Sequence, residues 1–199
     1  MPMNILFLGD IMGRSGRDAL AKELPRLKKQ LKLDFVVVNA ENATAGAGLS
    51  VEHAKQIFKS GVDCITLGDH AFDQREMISY IQQEPRIIRP INYAKTAPGH
   101  GFGVFTSATG KRVLVTQVLG QVFMKKNFSD PFSGLETVFN ITKLGQSCDA
   151  AVVDVHAEAT SEKMAIGHWC DGRVSLVVGT HTHVPTSDLH ILDKGTAYL

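Results

Sequence analysis

Phe35-Val-Val-Val-Asn-Ala-Glu-Asn42 is a short, continuous apolar run that breaks abruptly into amide and carboxylate side chains. Four apolar residues without alternation suit a strand covered on both faces, because a half-exposed strand alternates with period two. Two other runs in the first third share this texture, Ile5 to Leu8 and Cys64 to Leu67. Between the runs lie helical spacings: Leu20, Leu24, Leu27 and Leu31 first, then Val51, Ala54, Ile57 and Phe58. Strands alternating with helices predict a parallel sheet in an α/β fold.

Beyond Pro90 the pattern changes. Phe102 to Phe105 and Val113 to Val118, separated by Thr109-Gly110, read as an antiparallel hairpin. Leu135, Val138, Phe139 and Ile141 then predict a helix, and Ala151 to Val155 and Val174 to Val178 two more apolar strands. No repeat and no Pro-, Gly- or Ser-rich linker divides the chain, so residues 1–199 read as one domain. The chain stops at Gly195-Thr-Ala-Tyr-Leu199, an apolar strand with no polar turn behind it, and further residues are expected to complete the sheet.

Bulk composition excludes more than it identifies. With 21 basic and 20 acidic side chains there is no global electrostatic footprint for nucleic acid or an anionic membrane, so any affinity for phosphate must be local. The early apolar run is too short for a secretory segment, and no stretch approaches the roughly 20 residues of a membrane span. Three cysteines without C-x-x-C spacing indicate neither a disulfide framework nor a thiolate zinc site, which fits a soluble protein of the reducing cytoplasm.

The informative residues are those that follow the strands. Asp10 follows Ile-Leu-Phe-Leu-Gly, Glu41-Asn42 follow the run quoted first, Asp69-His70 follow Ile-Thr-Leu-Gly, His156 follows Val-Val-Asp-Val, and His181-Thr-His183 follow Leu-Val-Val-Gly-Thr. Taken singly, each has a bland reading: Asp10 as a helix cap, Glu41-Asn42 as the start of the Ala45-Gly-Ala-Gly48 turn, His156 as a hydrogen-bonded core histidine. Together they are harder to dismiss, because ligands of α/β sheets bind outside the carboxyl ends of the strands. His181 and His183, two apart on an extended segment, are expected to face one ion. Imidazole mixed with carboxylate and amide oxygen suits Mn, Fe or Zn better than Mg or Ca. Seven candidate ligands exceed one tetrahedral site, so two ions bridged by Glu41 are the economical reading. Two such ions about 3.5–4 Å apart can clamp a phosphoryl group and activate a water as hydroxide. His70, spare in this count, is placed to protonate the leaving oxygen or to stabilise transition-state charge.

Gly9-Asp10, Asn39-Ala-Glu-Asn42, Gly68-Asp-His70, His156-Ala-Glu158 and Gly179-Thr-His-Thr-His183 together resemble the calcineurin-like metallophosphoesterases, specifically the YmdB-like branch. The likeness spans essentially the whole chain and includes Arg89-Pro-Ile-Asn92 and His156-Ala-Glu-Ala-Thr-Ser-Glu-Lys163. It implies an αββα sandwich of two β-sheets flanked by helices, a di-iron or di-manganese centre, and hydrolysis of small phosphodiesters, 2′,3′-cyclic nucleotides first among them. By the family pattern Asp10, Glu41, Asn42 and His183 hold one ion, Glu41, Asp69, His156 and His181 hold the other, and His70 matches the catalytic histidine. The family pattern carries asparagine where this chain has Asp69, which adds a negative charge to the centre. A rival reading is a catalytically weakened relative that binds metal or nucleotide without turnover. A homo-oligomer is among the expected assemblies. Arg14 and Arg17 are further candidates for phosphate contact, and Asp154, Glu158 and His190 for supporting the ligands.

Overall fold

The computed structural model describes residues 2–199. The first apolar runs form β1 (Ile5–Leu8), β2 (Phe35–Asn39), β3 (Cys64–Thr66) and β4 (Ile87–Ile88), parallel neighbours in that order in a four-stranded sheet. Between these strands run α1 (Gly13–Gln30), α2 (Val51–Lys59) and the short α3 (Met77–Tyr80). The expected hairpin is present: β5 (Phe102–Thr106) pairs antiparallel with β6 (Arg112–Leu119), with Phe105 opposite Val113. Next come α4 (Pro131–Ile141), β7 (Ala150–His156), α5 (Thr160–Cys170) and β8 (Leu176–Thr180), followed by β9 (His190–Ile191) and β10 (Ala197–Tyr198). The second sheet has the order β5-β6-β7-β8-β10-β9, with β6, β7, β8 and β10 parallel.

The run that opened the reading shows why the sheets stack. Phe35 and Val37 point into a core shared with Val113, Val115 and Val152 of the second sheet, while Val36 and Val38 pack with Leu20, Leu24 and Ile57 of the helices. The second sheet repeats the arrangement, Val153 and Val155 meeting Leu135 and Val138 of α4 and Ile166 of α5. The central strands of both sheets are therefore buried on both faces, and the layers are helix, sheet, sheet, helix. This is the αββα sandwich that the resemblance implies.

One strand boundary needs correction, and two helices show what the local pattern leaves out. The last apolar strand begins at Leu176 rather than Val174, because Ser175 turns the chain into register with its N–H on the Ala151 carbonyl before Leu176 pairs with Val152. Asp10 does not cap α1; Met12 occupies that position without a side-chain cap. Helix α5 is hidden in the sequence because its buried face includes Lys163 and Gly167 as well as Ile166 and Cys170. Among the described residues no helix is long and apolar enough to cross a membrane.

Candidate metal centre

The carboxyl ends of β1, β2, β3, β7 and β8 meet at one end of the sandwich, where the two sheets face each other. One ligand atom each of Glu41, Asp69, His156 and His181 lies within 4.8 Å of every other, and Asp10, Glu41 and His183 form a second such group. Glu41 belongs to both. His156 Nε2 lies 3.0 Å from Glu41 Oε1, 3.2 Å from Asp69 Oδ1 and 3.1 Å from His181 Nδ1. His183 Nε2 lies 2.9 Å from Asp10 Oδ2 and 3.1 Å from Asn42 Oδ1. The Asn42 amide nitrogen donates to the Gly46 carbonyl at 3.0 Å, which turns the amide oxygen toward His183. All seven sequence candidates thus come together, with His70 beside them: its backbone N–H donates to Glu41 Oε2 at 3.1 Å.

The two C-terminal histidines do not converge in the way that their spacing implies. They lie beyond the end of β8 with positive φ, 88° at His181 and 55° at His183, so they do not alternate along an extended strand. His181 turns toward Asp69 and His156, whereas His183 turns toward Asp10 and Asn42. Each such non-glycine conformation costs on the order of 1–3 kcal/mol, and strain of this kind gathers at functional sites. The His181 N–H donates to Asp10 Oδ2 at 3.0 Å and helps to hold the turn.

Electrostatics set the charge that this pocket calls for. Burial disfavours the His156 cation, yet Asp69 and Glu41 outweigh it and push the imidazole up to about 10. Burial also opposes ionisation of Asp69, but bonds from His156 and His181 hold its carboxyl far below the usual carboxylate range. At Asp10 burial wins and raises the carboxyl. Asp10 Oδ1 is buried with no hydrogen-bond partner among the described residues. An unpaired buried carboxylate oxygen beside imidazole and amide donors fits a cation-binding site, since such an atom otherwise carries its full desolvation cost. The backbone has been cleared for the cradle: Gly68 has φ +102°, and a Cβ there would sit 2.2 Å from Glu41 Oε2.

Several supports have no clear signature in the sequence. Asp73 Oδ2 lies 2.6 Å from His70 Nδ1, and only the i, i+3 spacing could have hinted at it. Tyr93, just after Arg89-Pro-Ile-Asn92, and Lys126 donate to the Asp69 carbonyl at 3.1 and 3.0 Å. Glu158 Oε2 lies 3.3 Å from His181 Nε2, whereas His190 is exposed on β9 and bonds to the Asp188 carbonyl. Arg17 donates to the Ala43 carbonyl, and Arg14 pairs with exposed Asp18.

The family model described as "YmdB-like protein" matches residues 6–199. The chain belongs to the YmdB-like family. A relative from Bacillus subtilis (strain 168), named 2′,3′-cyclic-nucleotide 2′-phosphodiesterase, is 41% identical over 197 residues, covering 99% of this chain and 73% of its own. A crystal structure of a hypothetical protein from Thermus thermophilus superposes with a TM-score of 0.91 at 41% identity, covering 98% of this chain and 74% of that one. Another, described as a novel phosphatase from Mycoplasma pneumoniae, gives 0.89 at 36% identity, covering 99% of this chain and 70% of that one.

Proposed function

We propose that this phosphoesterase hydrolyses small phosphodiesters, 2′,3′-cyclic nucleotides foremost, at two transition-metal ions held by Asp10, Glu41, Asn42, Asp69, His156, His181 and His183. The observation that carries this reading is the pair of ligand groups that overlap on Glu41. Asp10, Asn42 and His183 with Glu41 would hold one ion; Asp69, His156 and His181 with the same glutamate would hold the other. Iron or manganese suits this mixture of imidazole and oxygen donors, and zinc is compatible with it. The name of the Bacillus relative supports the choice of cyclic nucleotide. When bound, two such ions supply positive charge that polarises the phosphoryl oxygens and lowers the pKa of a water held with them.

The protein's own residues supply the proton and its orientation. His70 Nδ1–H donates to Asp73 Oδ2 at 2.6 Å, which leaves Nε2 to hold a proton for the departing ester oxygen. Asp73 fixes the ring, as the orienting carboxylate of a triad does. The test offers purified protein of measured metal content a chromogenic phosphodiester and 2′,3′-cyclic AMP, with and without chelator. Turnover that chelator abolishes and His70→Ala removes is the expected result. Stoichiometric metal with no turnover of either substrate overturns the reading.

A further inference from the structure

Asp154 is wholly buried on β7 between the two sheets, and polar side chains from four neighbouring strands point at it. Oδ2 accepts from Asn39 Nδ2 at 3.2 Å, Thr66 Oγ1 at 2.7 Å and Gln117 Nε2 at 2.7 Å; Oδ1 accepts from Thr180 Oγ1 at 2.6 Å. Four donors on two oxygens describe a carboxylate acting purely as acceptor. We infer that Asp154, working through the Thr180 hydroxyl, is a positioning residue that keeps a hydrogen on His156 Nδ1 and so leaves Nε2 as the nitrogen that an ion can take. The inference rests on the proposed function in one respect, that His156 Nε2 is a metal ligand.

The argument is one of proton counting. Thr180 has a single hydroxyl proton, and Asp154 takes it. The Thr180 oxygen lies 2.8 Å from His156 Nδ1 and can then only accept, so Nδ1 must carry the hydrogen. Asn39 Nδ2 also approaches Nδ1, but at 3.4 Å, at the long edge of hydrogen bonding, so the hydroxyl decides. Nε2, on the far side of the ring, faces Glu41 and Asp69 at 3.0 and 3.2 Å. Partners of this kind, which fix the tautomer of a ligating histidine, typically matter by about 10–100-fold in metal affinity.

Asp154→Asn turns the relay around without changing its size. The three donors at Oδ2 hold the new amide oxygen there, which places the amide nitrogen against Thr180. Thr180 must then accept from it and direct its own proton at His156 Nδ1, which moves the ring hydrogen to Nε2 and blocks the ligand position. The probe is Zn(II), titrated into wild type, Asp154→Asn, Thr180→Val and Thr180→Ser, with unfolding midpoints measured alongside. In zinc-loaded wild type, long-range 1H–15N spectra should show hydrogen on His156 Nδ1. Asp154→Asn and Thr180→Val should lose about 10–100-fold in affinity at one of two sites, and Thr180→Ser should retain it. If Asp154→Asn does not fold, the valine and serine pair decides alone. Wild-type zinc affinity in Asp154→Asn or Thr180→Val, even with a lowered midpoint, overturns the inference and leaves the proposed function standing. A wild type that takes up no zinc, manganese or iron overturns both.

Discussion

Replacing Gly68 by alanine tests whether the backbone is shaped around the cradle. The added Cβ would lie 2.2 Å from Glu41 Oε2, 2.7 Å from Glu41 Cδ and 2.8 Å from His156 Cε1, and those two side chains are 1% and 0% exposed. Neither can swing into solvent, so the clash must be relieved by moving the proposed bridging carboxylate or the strand end. Overpacking of this kind costs about 1–3 kcal/mol. Holding a non-glycine residue at φ +102° adds on the order of 1–3 kcal/mol, for roughly 2–6 kcal/mol in all. At a urea dependence of about 2 kcal/mol per molar, the unfolding midpoint of the metal-free protein should fall by roughly 1–3 M. Gly110→Ala is the control: its φ is +79° but nothing lies within 4 Å of the new carbon, so only the backbone cost of about 1–3 kcal/mol applies. Urea unfolding followed by circular dichroism, with metal content of the folded variants, reads both effects. A Gly68→Ala protein no less stable than Gly110→Ala, and with full metal content, would refute the reasoning.

His70→Ala should lower kcat on a chromogenic phosphodiester by about 10²–10⁴-fold at undiminished metal content, and Asp73→Asn should share the defect in smaller measure. Metal loss in His70→Ala would move that residue from proton donor to ligand. Asp69→Asn removes one formal negative charge from the centre, so it should keep both ions and alter turnover; identical kinetics would count against a role for that charge. Burial pushes the Cys170 thiol up to about 12 and raises Cys64 and Cys148 as well. Because these shifts are upward, all three stay neutral at pH 8, so a disulfide reagent should leave the native protein unlabelled and react with three thiols after denaturation. Rapid native labelling would contradict the buried placement.

The fold was legible because its central strands are buried on both faces. A run such as Phe35 to Val38 has no solvent-facing residue to blur it, and it ends where side chains must turn polar. Glu41, Asp69 and His156 stand out for the same reason: each is the first charged or imidazole group after an apolar run, apart from Asp154. The two-residue strands Ile87–Ile88 and His190–Ile191 are too short to announce themselves. Positive φ at His181 and His183 depends on neighbours across the sandwich, such as the Asp10 carboxylate that takes the His181 N–H, and local sequence holds no record of that contact. The same is true of Asp154, whose four donors come from positions 39, 66, 117 and 180. Inside an apolar strand it reads as a candidate support for the ligands; only the stacking of two sheets makes it a hub.

Anomalous diffraction from crystals of manganese-loaded protein addresses the two-ion proposal most directly. Two peaks per chain are expected, one bordered by Asp10, Asn42 and His183, the other by Asp69, His156 and His181, with the Glu41 carboxylate between them. No peak, or a single peak that Glu41 does not touch, would contradict the account.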